Sequence, residues 1–102
     1  MTKDEAAKRL SEIIKRHGFI TEDGEYGLPE IPVVDKSFIA VYIQPKWNES
    51  ENGFILSVRQ GIRRTSSDLS SEEMRTAADE IARAANVVDE INASHLVFDS
   101  LR

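Results

Sequence analysis

Few side chains in this sequence are of the kinds that most often carry out chemistry. The chain has no cysteine and two histidines, His17 and His95. Disulfides, zinc fingers and iron–sulfur clusters are therefore excluded. Neither histidine has a second histidine or a carboxylate at ligand spacing on the same helical face. We expect no metal site and no histidine-based acid–base catalysis.

The acidic residues and glycines do not form a recognisable motif either. Neighbouring acids occur at 72–73, 79–80 and 89–90, but adjacent residues on a helix point in different directions. The run Asp23-Gly24-Glu25 lacks the twelve-residue pattern of a calcium loop. The five glycines are scattered and make no phosphate-binding loop. The sequence therefore predicts a protein that is not an enzyme and has no cofactor.

The most informative local cluster lies in the middle of the chain and predicts two separate features. Lys46-Trp47 is expected near the tip of a hairpin, and Arg59, Arg63 and Arg64 at the other end of its second strand. Residues 37–67 carry four basic and two acidic side chains, whereas residues 68–102 carry three basic and eight acidic ones. Arginine side chains bind phosphates and carboxylates, and aromatic residues are common at interfaces. The candidate partner-binding residues are therefore Tyr42, Lys46, Trp47, Arg59, Arg63 and Arg64.

Two functions fit these residues. The first is a non-enzymatic interaction or accessory module that binds another protein, with a second copy of the chain as one candidate. The second is a nucleic-acid-binding domain that uses the basic region, which the net charge of −5 disfavours. A simpler interpretation is that the arginines neutralise the acidic C-terminal helix of the same chain.

Length and composition predict the number of domains and the location of the protein. The 102 residues fit a single domain, 1–102, that is 40% hydrophobic and 30% charged. The N-terminus is charged from its third residue and has no apolar core of the signal-peptide type. The longest apolar run, 38–43, is too short to span a bilayer. We expect a cytoplasmic protein that does not contact membranes.

Two helices are predicted at about 3–17 and 71–93. Each begins with a capping box, Thr2 with Glu5 and Ser70 with Glu73, and Gly18 is the expected end of the first. Apolar residues at helical spacing predict the buried stripes. These are Ala6, Ala7, Leu10, Ile13 and Ile14 in the first helix, and Met74, Ala78, Ile81, Ala85 and Val88 in the second, where Ala77, Ala84, Val87 and Ile91 widen the stripe on its flanks.

A β-hairpin is predicted between the helices, with strands 38–44 and 54–60 joined by a turn at 48–53. Its better core face pairs Ile39, Val41 and Ile43 with Phe54, Leu56 and Val58, which leaves a mixed second face that includes Tyr42 and Arg59. The order α-β-β-α predicts an α+β fold, a two-layer sandwich of helices on one face of an antiparallel sheet of two to three strands. The predicted core is Ile13, Ile14, Val41, Ile43, Leu56, Val58, Ile81 and Val88.

Two segments leave alternatives open. Residues 31–34 are a candidate for a short edge strand, because proline is tolerated there. Residues 95–101 either continue the second helix or form a separate short element.

Overall fold

The protein is described by a computed structural model covering residues 1–34, 37–63 and 68–102. The element order is α1 (Lys3–Arg16), β1 (Glu22–Asp23), a 3-10 helix (Glu25–Gly27), β2 (Pro29–Glu30), β3 (Ile39–Asn48), β4 (Gly53–Ile62), α2 (Ser71–Ser94) and β5 (Val97–Phe98). The three strands β3, β4 and β5 form one antiparallel sheet in the order β3-β4-β5, and β1 pairs with β2 in a second. The predicted α+β class and element order are confirmed.

Both helices begin where their capping boxes predict. The Thr2 hydroxyl accepts from the Glu5 N–H at 3.2 Å, and the Ser70 hydroxyl accepts from the Glu73 N–H at 3.1 Å. These bonds satisfy N–H groups that have no partner inside the helix. Helix α1 is followed by Gly18 with φ +83°, a left-handed conformation that favours glycine.

Helix α2 buries only the C-terminal part of its predicted apolar stripe, Val88 together with residues on the flank of that stripe. Its buried residues are Ala84, Val87, Val88 and Ile91. Met74 and Ile81 are 60% and 39% exposed, so placing Ile81 in the core was wrong. The helix is longer than the core is wide, and its buried residues all lie in its C-terminal half. Periodicity identifies an apolar stripe but does not show which turns of it meet the sheet.

The hairpin has the predicted faces but longer strands. Ile39, Val41 and Leu56 are buried in the core with α1 and α2, and Ile43, Phe54 and Val58 pack against it partly buried. This is the helix-side face of the sheet. The connection shortens to residues 49–52, so Lys46 and Trp47 lie within β3 and not after it.

The structure decides between the alternatives for residues 31–34 and 95–101. The pair β1–β2 lies at 22–23 and 29–30, so the edge strand considered at 31–34 is not present. After α2, His95 takes a left-handed conformation with φ +48°, and β5 pairs Phe98 with Phe54. A Cβ on Gly53 would lie 2.8 Å from Val97 Cγ1, so this close approach of β5 requires a glycine.

Candidate partner-binding surfaces

The free face of the sheet, opposite the helices, carries half of the predicted site residues. Its exposed residues are Tyr42, Gln44, Lys46, Arg59 and Gly61. Tyr42 lies directly opposite Arg59 in the β3–β4 register, so their side chains are neighbours. Lys46 lies four residues along β3, roughly 13 Å away at the usual rise per residue. A Cβ built on Gly61 would meet no atom within 4 Å, so the face is open at this position, although Ala40 opposite it is buried.

The free face is basic because of the strand sequences. Neither β3 nor β4 contains an aspartate or a glutamate, although the chain has 18 such residues. Among the described residues, no carboxylate lies within ion-pair distance of Arg59 or Arg63. Within the described residues, the acids of α2 therefore form no ion pair with Arg59 or Arg63. Asp79 pairs with Arg83 instead, and Glu90 pairs with Arg16 and His17.

Two predicted site residues lie away from this face. Trp47 follows Lys46 in β3, so its side chain points to the opposite, helix-side face of the sheet. Its ring lies edge-on to Phe54 at a centroid distance of 5.2 Å. Arg63 follows β4, and its guanidinium donates to the Val34 carbonyl at 2.7 Å. Arg64 lies outside the described residues. The six predicted residues therefore do not form one continuous site.

Sequence reasoning missed the outer edge of β3. The sheet order places β3 at an edge. The Arg63 N–H donates to the Phe38 carbonyl at 2.8 Å. The main-chain groups of Phe38, and of every second residue after it in β3, therefore point towards β4. Main-chain groups alternate along an antiparallel strand, so those of Val41, Ile43 and Pro45 point away from β4. Pro45 has no N–H to pair, which suits an outward-pointing position.

A cleft of about 660 Å³ lies along this edge, between β3 residues 41–45 and the β1–β2 region. We name it the edge cleft. Four carboxylates line its far wall, contributed by Glu22, Asp23, Glu25 and Glu30, and no lysine, arginine or histidine of the described ranges lines it. Burial raises the pKa of the Glu30 carboxyl, and a hydrogen bond with Glu22 and the negative charges of Glu22 and Glu25 raise it further. The signal in the sequence was the four acids between Thr21 and Pro32.

A second depression, of about 300 Å³, is mainly apolar. Ile20, Val33 and Val34 line it and are 69%, 44% and 49% exposed; we name it the apolar groove. Two charged residues of α2, Glu80 and Arg83, lie at its rim. The Arg83 guanidinium lies 4.6 Å above the Phe19 ring and donates to the His17 and Gly18 carbonyls. These contacts hold the loop that follows α1 against α2.

The described residues contain no arrangement typical of a metal or catalytic centre. Within 1–34, 37–63 and 68–102, no three or more histidine, aspartate and glutamate side chains are grouped to hold a metal ion. No polar or charged residue in these ranges is fully buried. His17 Nε2 lies 2.9 Å from Glu90 Oε1, and His95 Nε2 lies 2.9 Å from Glu51 Oε1. Both histidines therefore link structural elements.

Comparison with known proteins adds no family. No protein-family model, no curated protein and no solved structure matches this chain significantly. In the part of the chain that the structure describes, neither helix has the length and apolarity needed to cross a bilayer.

Proposed function

We propose that this chain is a non-enzymatic protein–protein interaction module, able to bind another protein and to self-associate. The observation that carries the proposal is the apolar groove, where Ile20, Val33 and Val34 are exposed side by side. Contiguous apolar patches with polar rims are typical of interaction surfaces, whereas single exposed apolar residues are not informative. Cytoplasmic location is part of the proposal, since a chain without cysteine needs no oxidising compartment to fold.

Affinity capture from the native host, with two matched variants, tests this proposal. The first variant, Ile20→Ser/Val34→Ser, removes two exposed apolar side chains of the groove. The control, Ile62→Ser, removes an apolar side chain that is 63% exposed elsewhere. We expect both variants to keep the wild-type melting temperature, and the groove variant alone to lose a stoichiometric partner. Identical captured proteins for the wild type and for the tag alone would contradict the proposal.

A nucleic-acid-binding function is the second candidate, favoured by the free face. An exposed tyrosine next to an arginine, on strands without carboxylates, can stack on a base and contact its phosphate. The net charge of −5 opposes this function, and the face carries one aromatic residue. We therefore expect generic RNA and single-stranded DNA to bind negligibly at physiological salt.

Fluorescence anisotropy across a salt series decides between the two. Low-micromolar affinity with a steep salt dependence would favour the nucleic-acid function. In that case Lys46→Ala/Arg59→Ala should flatten the slope, because each lysine or arginine that contacts a phosphate contributes about one unit to it. The control Lys8→Ala/Lys15→Ala removes the same charge from exposed positions on α1 and should leave the slope unchanged.

A further inference from the structure

We propose that the edge cleft binds an extended, basic peptide segment of a partner protein, which adds as a strand to the outer edge of β3. This inference rests on the proposed interaction function and adds to it a second binding surface, with the chemistry of the partner that this surface would take. The groups that carry it are the outward-pointing main chain of Val41 and Ile43 and the four carboxylates on the opposite wall.

The edge supplies the main-chain recognition. An unpaired strand edge presents N–H and C=O groups that can pair with another extended chain. Within the described residues, β3 pairs along its length with β4, and no backbone hydrogen bond links its other edge to β1 or β2. Proteins commonly protect such edges with charged residues or a covering loop. Here residues 41–45 carry no charge and border a cleft.

The wall supplies the charge preference. Glu22, Asp23, Glu25 and Glu30 make no ion pair with any described residue, although other carboxylates in the chain do. Burial, a hydrogen bond with Glu22 and the negative charges of Glu22 and Glu25 raise the pKa of the Glu30 carboxyl, and no described lysine, arginine or histidine lines the cleft to neutralise these acids. Cationic side chains of a ligand would do so. Since side chains alternate along a strand, we expect lysine or arginine at every second position of the bound segment.

A second copy of the chain is a poorer occupant of the cleft. Pairing of β3 with its own symmetry mate would bring two such acidic walls towards each other, and like charges at an interface oppose association. The observations therefore favour a basic segment from a different protein.

The test uses a fluorescein-labelled peptide that alternates lysine and valine, measured by anisotropy with the full chain. We expect saturable binding that weakens with salt, and shifts of the Val41 and Ile43 amide resonances. A peptide alternating glutamate and valine should not bind. Two further lysine–valine peptides, one N-methylated at every lysine and one at every valine, keep the charge. The donors that would face β3 belong to one of these two sets, so one of the two peptides should not bind. Binding of both methylated peptides as tight as that of the unmodified peptide would overturn strand addition.

Charge variants test the wall without disturbing the core. Glu22→Gln/Glu25→Gln removes two charges from it, and Glu12→Gln/Glu49→Gln removes two from exposed positions elsewhere. We expect the first pair to weaken binding about five- to tenfold, as two partly screened ion pairs would, and the control to change it less than about twofold. Equal effects of the two pairs would overturn the cleft as the site. A wild-type dimer that the peptide dissociates would show that a second copy occupies the edge, and would overturn the choice of partner.

The outcomes separate this inference from the proposed function. If capture yields a partner but the peptide does not bind, the edge cleft is not the site and the interaction module stands. If the peptide binds but capture yields no partner that depends on the groove, the cleft inference stands and the groove no longer supports the function.

Discussion

Replacing Leu56 with alanine should substantially lower the free energy of unfolding of this small domain. Leu56 is 8% exposed and belongs to the core with both helices. The substitution removes three carbon atoms, at about 0.8 kcal/mol for each buried methylene, and leaves a cavity, so we expect a loss of about 3 kcal/mol. Val41→Ala, which removes two carbon atoms from a site 3% exposed, should cost about 2 kcal/mol.

Urea unfolding, followed by Trp47 fluorescence and far-ultraviolet circular dichroism, measures these losses if the two signals coincide. The control is Ile62→Ala, on the same strand and face as Leu56 but 63% exposed, which should change the free energy of unfolding by at most about 0.5 kcal/mol. Ile81→Ala, at 39% exposed, should cost about 1 kcal/mol.

Two results would refute this reasoning. If both Val41→Ala and Leu56→Ala lowered the free energy of unfolding by only a few tenths of a kcal/mol, the faces of the hairpin would be reversed. A loss at Ile81 equal to that at Leu56 would mean that α2 also buries the middle of its predicted stripe, where the structure shows Ile81 exposed.

Three further predictions concern assembly, ligands and acid stability. Sedimentation at tens of micromolar should show a homodimer, which Met74→Glu/Ile81→Glu on the exposed part of α2 should abolish; a monomer throughout would end the idea. Native mass spectrometry of protein prepared without added metal should give the bare chain mass, and an adduct that survives dialysis would contradict this. A hydrogen bond with His17 and the charge of Arg16 hold the pKa of Glu90 below its ordinary value of 4.5. Ionised Glu90 therefore adds stability above that pH, which is lost as the pH falls through the lower folded value. Glu90→Gln should lower the melting temperature near neutral pH and converge with wild type in strong acid; an equal deficit at both would refute this.

The candidate surfaces were only partly predictable. Tyr42, Lys46 and Arg59 lie on one face, as strand alternation requires, but Trp47 was expected after the first strand and lies within β3, on the opposite face. The edge cleft depends on the sheet order and on where β1 and β2 lie relative to β3. Neither can be read from local spacing, because both arise from contacts between residues far apart in the chain.

Local rules account for the helices and the hairpin. A capping box acts within four residues, and alternation along a strand identifies its two faces, so both were visible in the sequence. The tertiary structure decided which half of α2 is buried, that the residues after it form β5, and that residues 22–30 make a small sheet beside an open edge. In each case several local conformations were acceptable, and the choice depended on which apolar surface found a partner in the shared core.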